Sequence, residues 1–112
     1  AGRRPDDLDE HLAAVVSSLR RPGYATAFSR TTRLSHQPAE DSLSGVTAPT
    51  LVVMGELDPD FPDPAAEARW IAERLSAQVL MVPEAGHYPQ AQRPDVVGPA
   101  VVDFLRSVTA DA

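Results

Sequence analysis

The chain has 112 residues, no cysteine and a formal net charge of -6, with 10 basic against 16 acidic side chains. That balance, with no basic cluster beyond Arg3-Arg4 and Arg20-Arg21, argues against a nucleic-acid surface, and the absence of cysteine excludes a disulfide framework or thiolate metal site. A hydrophobic content of 43% places the chain among folded proteins despite 11 prolines, and no apolar run approaches the roughly 20 residues that span a bilayer.

In chain order, Asp6 or Asp7 can cap a first helix in which Leu8, Leu12, Val15, Val16 and Leu19 recur along one stripe. Arg20 and Arg21 are placed in its last turn, favourable for the helix dipole, and Pro22-Gly23 ends it. A second helix is predicted from Tyr24 to Leu34. The stretch Ser35 to Ala48, rich in Ser, Pro, Gly and acidic residues, reads as a loop with room for one short turn.

Thr50 to Met54 is a continuous apolar run of the kind shown by a strand buried on both faces. A loop from Gly55 to Asp63 follows, stiffened by Pro59 and Pro62. Asp63-Pro64 is a helix start, with Asp as cap and Pro at the first helical position. Ala68, Ile71, Ala72 and Leu75 share one face of that helix, and Trp70 falls at its edge, where partial burial is expected. Gln78 to Val82 is a second strand, completing a strand-helix-strand unit with the right-handed crossover such units adopt. Pro94 opens a last helix with Val97, Val101, Phe104, Leu105 and Val108 in register. Pro99 should kink it or delay its regular part to about Gly98.

Each strand ends in a Gly-containing loop that presents one polar residue, Asp58 after the first and His87 after the second. Two parallel strands joined by a helix bring such residues to the same sheet edge, where open α/β sheets place their chemistry. A carboxylate beside an imidazole fixes its tautomer and stabilises its protonated form, which suits the pair to activating a nucleophile. Taken singly, Asp58 before Pro59 is ordinary turn chemistry and a loop histidine is ordinarily solvated. Gly86 before His87 favours a sharp turn that aims the ring. His11 and His36 have no such frame and read as surface residues. The run Asp58-Pro59-Asp60-Phe61-Pro62-Asp63 hints at a calcium loop, but two prolines and no turn glycine break the pattern. No metal and no cofactor are expected. No serine stands in a G-x-S-x-G frame. The nearest imitation, Asp41-Ser42-Leu43-Ser44-Gly45, lacks the first glycine and a preceding strand.

The segment A-P-T-L-V-V-M-G-E-L-D-P-D-F-P-D-P, a helix, V-L-M-V-P-E-A-G-H-Y-P-Q-A-Q-R-P-D-V-V and V-V-D-F-L together resemble the carboxyl-terminal part of an α/β-hydrolase, most strongly from Thr47 to Leu105. The resemblance implies an α/β fold in which this chain is a carboxyl-terminal fragment, with two parallel strands and flanking helices preceded by the end of a helical cap. Residues 1–45 would be that cap and its return, and residues 46–112 the last two strands and helices of the core. By the same resemblance Asp58 is the triad acid and His87 the general base; Asp60, which unlike the cap residue Asp63 has no structural role of its own, is the runner-up for the acid. Phe61 and Tyr88, with Tyr24 and Phe28 from the cap, are candidates for the substrate pocket.

The implied function is hydrolysis of an ester or related bond in a small apolar molecule by nucleophile-His-Asp catalysis. The nucleophile lies upstream of residue 1, so the fragment alone is expected to be inactive. An upstream aspartate would make the protein a haloalkane dehalogenase or epoxide hydrolase, and a hydrolase-derived receptor or pseudoenzyme is a further reading. The rival without catalysis is a free-standing small helical domain. The expected partners are the amino-terminal remainder of the same protein and a small-molecule substrate, with a homo-oligomer left open and no nucleic acid or membrane. The expected compartment is cytoplasmic.

Overall fold

The computed structural model describes residues 2–110, which fall into two units, one of residues 2–4 with 43–110 and the other Pro5–Ser42. The smaller unit holds three helices, α1 (Leu8–Leu19), α2 (Tyr24–Thr31) and α3 (Gln37–Ser42). Gly23, at φ 83°, makes the left-handed turn between α1 and α2 that an L side chain would resist. Asp7 occupies the cap position of α1, but its side chain makes no capping bond. Arg20 is the residue that caps the C-terminus of α1, and Arg21 lies beyond it, with its guanidinium 5.1 Å from the centre of the Tyr24 ring.

Two expectations fail in this unit. The second helix stops at Thr31 rather than Leu34, and the hydroxyls of Thr31 and Thr32 donate back to the carbonyls of Phe28 and Ser29. Local bonds of that kind compete with helix continuation. The expected loop instead contains α3, because Ser35 Oγ accepts from the Gln37 N–H, Pro38 suits a first turn, and Gln37 Nε2 donates across one turn to Asp41 Oδ1. Neither α1 nor α2 buries a residue.

The larger unit starts its helical and strand elements with a 3-10 turn, Leu43–Gly45, and continues with β1 (Leu51–Gly55), α4 (Pro64–Leu75), β2 (Gln78–Val82), α5 (Pro89–Gln92) and α6 (Pro94–Ala110). β1 and β2 pair in parallel, in register from Leu51 opposite Gln78 to Gly55 opposite Val82. Both α4 and α6 pack on the two strands. Val82, Ala85 and Val97 form the core, flanked by Val53, Leu80, Val96 and Val101, with Met54 and Ala68 also buried. β1 does not reach the two-sided burial its composition suggests. Only Met54 and Gly55 are buried, while Leu51 to Val53 are half-covered, because the sheet among the described residues has two strands.

α4 begins as expected. Asp63 is extended and its carboxylate accepts from the Ala66 N–H at 2.9 Å, with Pro64 next in line. The helix ends on Ser76 in the left-handed region, φ 50°. Trp70 is half-buried at its edge, with the Arg74 guanidinium 3.6 Å above the centre of its ring. α6 runs through Pro99 from Pro94 onward, so the late start near Gly98 does not occur. Proline there removes one backbone donor, and a 17-residue helix seated on the sheet tolerates the loss. Among the described residues, no helix is long and apolar enough to cross a membrane.

Because Asp63 is a cap with a complete structural role, Asp63→Ala should lower unfolding stability by about 1 kcal/mol. Denaturant unfolding checks this, and activity should be retained.

Candidate active site

The site is built where the two strands end together. Beyond the last register pair, Glu56 N–H donates to Val82 O at 3.0 Å and Leu57 N–H donates to Ala85 O at 2.9 Å. The loop after β1 is thereby tied to the loop after β2, one residue before Asp58 and two before His87. The approach is close enough to exclude a side chain at position 55. A β carbon on Gly55 would fall against Gly86 O and within 2.5 Å of Ala85 O.

Asp58 and His87 meet across this junction. Nδ1 of His87 lies 3.0 Å from Asp58 Oδ2 and 3.2 Å from Oδ1. If the carboxylate is ionised it can only accept, an arrangement that would put the proton on Nδ1 and leave the Nε2 lone pair free. The Asp58 side chain is 5% exposed and that of His87 47%, which leaves the acid sheltered and the ring reachable. Asp58 Oδ1 also accepts the backbone N–H of Asp60 at 3.0 Å, a local turn that orients the carboxylate before it meets the ring. Asp60 Oδ2 lies 3.2 Å from the same Nδ1 and is the more exposed of the two acids.

The base loop is braced from behind by residues that carry no motif in the sequence. Gln92 uses both ends of its amide: Oε1 accepts from Gly86 N–H at 2.8 Å, and Nε2 donates to Arg3 O at 2.8 Å. Arg3 N–H donates to Glu84 O at 2.7 Å, and a β carbon on Gly2 would stand 2.5 Å from Gly86 N, so Gly2 and Arg3 lie against the loop. Arg93 donates to Pro83 O, to Glu84 Oε2 and, through Nε and Nη2, to both oxygens of Asp95. The hydrogen-bonded Arg93 guanidinium holds the Asp95 carboxyl below its ordinary 3.8, and Asp95 in turn raises Arg93 above the usual arginine range. Gln92 joins positions 3 and 86, a contact no local spacing announces.

Of the expected pocket residues, Phe61 is half-buried in the acid loop. Tyr88 is exposed beside the base, its ring edge-on to His87 with centres 5.2 Å apart. Tyr24 and Phe28 belong to the smaller unit, both exposed. His11 and His36 are exposed, as their sequence frames imply. Asp58, Asp60 and His87 offer three ligand atoms within 4.8 Å of one another. A cation there would take the atoms that orient the imidazole, so the two uses exclude each other.

The structure thus places an acid and an imidazole together at the carboxyl ends of neighbouring parallel strands, the edge where open α/β sheets carry their sites. The family model for TAP-like protein matches residues 24–112, and the chain belongs to that family of the α/β-hydrolase superfamily. No curated protein and no solved structure matches the chain.

The contact at Gly55 makes Gly55→Ala a test of the junction. The methyl group must displace the backbone of residues 85 and 86, which should destabilise by about 1–3 kcal/mol and disturb the His87 position. Thermal unfolding and the His87 ring NMR signals report the two effects. A second expectation concerns acid. Asp95 binds its proton less readily when folded, so its contribution is present above 3.8 and is lost as pH falls below that through the depressed folded value. The difference in melting temperature between the native protein and Asp95→Asn should therefore be present near neutrality and close on acidification below 3.8.

Proposed function

We propose that the chain is the acid-and-base portion, at the carboxyl end, of an α/β-hydrolase that cleaves an ester or related bond in a small apolar substrate. The observation that carries this reading is the pairing of His87 Nδ1 with the sheltered Asp58 carboxylate, which leaves Nε2 free at the sheet edge. Membership of a hydrolase family supports it.

In this mechanism Nε2 takes the proton of a nucleophile supplied by the amino-terminal remainder of the protein, as that group attacks the substrate carbonyl. The imidazolium then donates the proton to the leaving group. In the second half, Nε2 takes a proton from water, which attacks the acyl intermediate, and the nucleophile is released with its proton restored. Asp58 does not take the proton; it keeps Nδ1–H in place and stabilises the transient positive ring. Phe61 and Tyr88 supply apolar surface near the reacting groups, which favours a small apolar acyl or alcohol part.

The test uses the full-length protein and a short-chain p-nitrophenyl ester. His87→Ala should lower kcat by about five to six orders of magnitude with the fold retained by circular dichroism. Asp58→Asn should lower it by about two to four orders. Turnover by His87→Ala near the native rate would refute the assignment, and tight ligand binding without any turnover by the native protein would favour a receptor instead.

A further inference from the structure

We propose that Asp60 is a second carboxylate of the base, which steadies the imidazolium and serves as reserve acceptor at His87 Nδ1 when Asp58 is neutralised. The inference rests on the reading of His87 as the base and assigns Asp60 a positioning role within it.

Three observations lead to it. First, Asp60 Oδ2 stands 3.2 Å from Nδ1, no farther than Asp58 Oδ1, so both acids address one nitrogen. Second, the placement is built into the loop: Asp60 donates its own backbone N–H to Asp58 Oδ1, and the single turn that orients the first carboxylate also delivers the second. Third, among the described residues His87 is the one basic side chain within ion-pair distance of Asp60. Asp63, the next acid along, is occupied as the cap of α4.

The two acids cannot be equivalent. Asp58 holds the hydrogen bonds to Nδ1 and is 5% exposed, so its field acts in a sheltered environment and it sets the direction of the ring. Asp60 is 61% exposed and makes an ion-pair contact, so water and salt screen it. One N–H can serve one acceptor well at a time. While Asp58 is present, Asp60 adds a modest attraction for the positive ring. When Asp58 is replaced by a neutral side chain, Asp60 is the remaining negative group at Nδ1 and a small ring rotation brings it into line.

The experiment is a double-mutant cycle in the full-length protein with a p-nitrophenyl ester, read as kcat and KM separately. Asp60→Asn alone should lower kcat by about threefold at low salt with KM unchanged, and the gap should narrow in about 1 M salt, where the Debye length is near 3 Å. In the Asp58→Asn background the same change should lower kcat by at least about tenfold, because contacting residues that share one partner do not add. Asp60→Glu in that background should restore part of the loss. Equal factors in the two backgrounds, no effect in either, or an Asp58→Asn protein already without measurable turnover would each overturn the proposal. If His87→Ala retains activity, the catalytic reading itself fails. If His87→Ala is inactive while Asp60→Asn is silent in both backgrounds, only this inference fails.

Discussion

The short bridge of backbone hydrogen bonds beyond the end of the sheet governs the rest of the site. Glu56 to Val82 and Leu57 to Ala85 prolong the parallel pairing of β1 and β2 into two loops that would otherwise diverge. Because the bonds are between main-chain groups, they set the separation of residues 58 and 87 before any side chain acts. The absence of a side chain at Gly55 is what allows this approach. The hydrogen bond between Asp58 and His87 then follows from where the backbone stands, and it adds tautomer selection and charge stabilisation rather than position.

Much of this architecture is legible in the sequence, for identifiable reasons. Short apolar runs bounded by turn residues mark β1 and β2 because buried parallel strands have little else to say in sequence. Asp63-Pro64 marks the start of α4 because both residues act on groups within three positions of themselves. The pairing of Asp58 with His87 is readable because it needs only strand order and loop position. What escapes is of another kind. Gln92, Arg93, Gly2 and Arg3 act on the loop after β2 through contacts that close only after the chain has folded, one of them across 89 positions. α3 escapes because its stabilising bonds, Ser35 to Gln37 and Gln37 to Asp41, are weak and local against a composition that otherwise spells loop. The extent of β1 burial escapes because composition reports what a strand can bury, whereas coverage depends on its neighbours.

Family membership and geometry constrain different parts of the functional reading. The TAP-like match covers α2 through the end of α6 and establishes membership of the α/β-hydrolase superfamily. It does not choose between the neighbouring acids of the loop after β1. Burial and hydrogen bonding separate them physically: a carboxylate 5% exposed and bonded through both oxygens acts on the ring more strongly than one that stands in water at almost the same distance. Asp63 is removed from the competition by its occupation at the helix cap.

The distribution of burial points the same way. Met54, Gly55, Asp58, Val82, Ala85, Gly86 and Pro89 are buried at or just past the carboxyl ends of the two strands, and Ala68 of α4 and Val97 of α6 are buried against the sheet. Several are small, so the tight packing there joins backbone to backbone rather than interlocking large side chains. Such a platform resists displacement but has little room for a methyl group. The helices α1 and α2, by contrast, bury no residue and carry Leu12, Val15, Val16, Tyr24 and Phe28 exposed. Local stability follows contact density, so the strand-end platform should be the last part of the larger unit to open. The segment that holds Asp58 and His87 to within a hydrogen bond is therefore the one whose packing leaves least freedom.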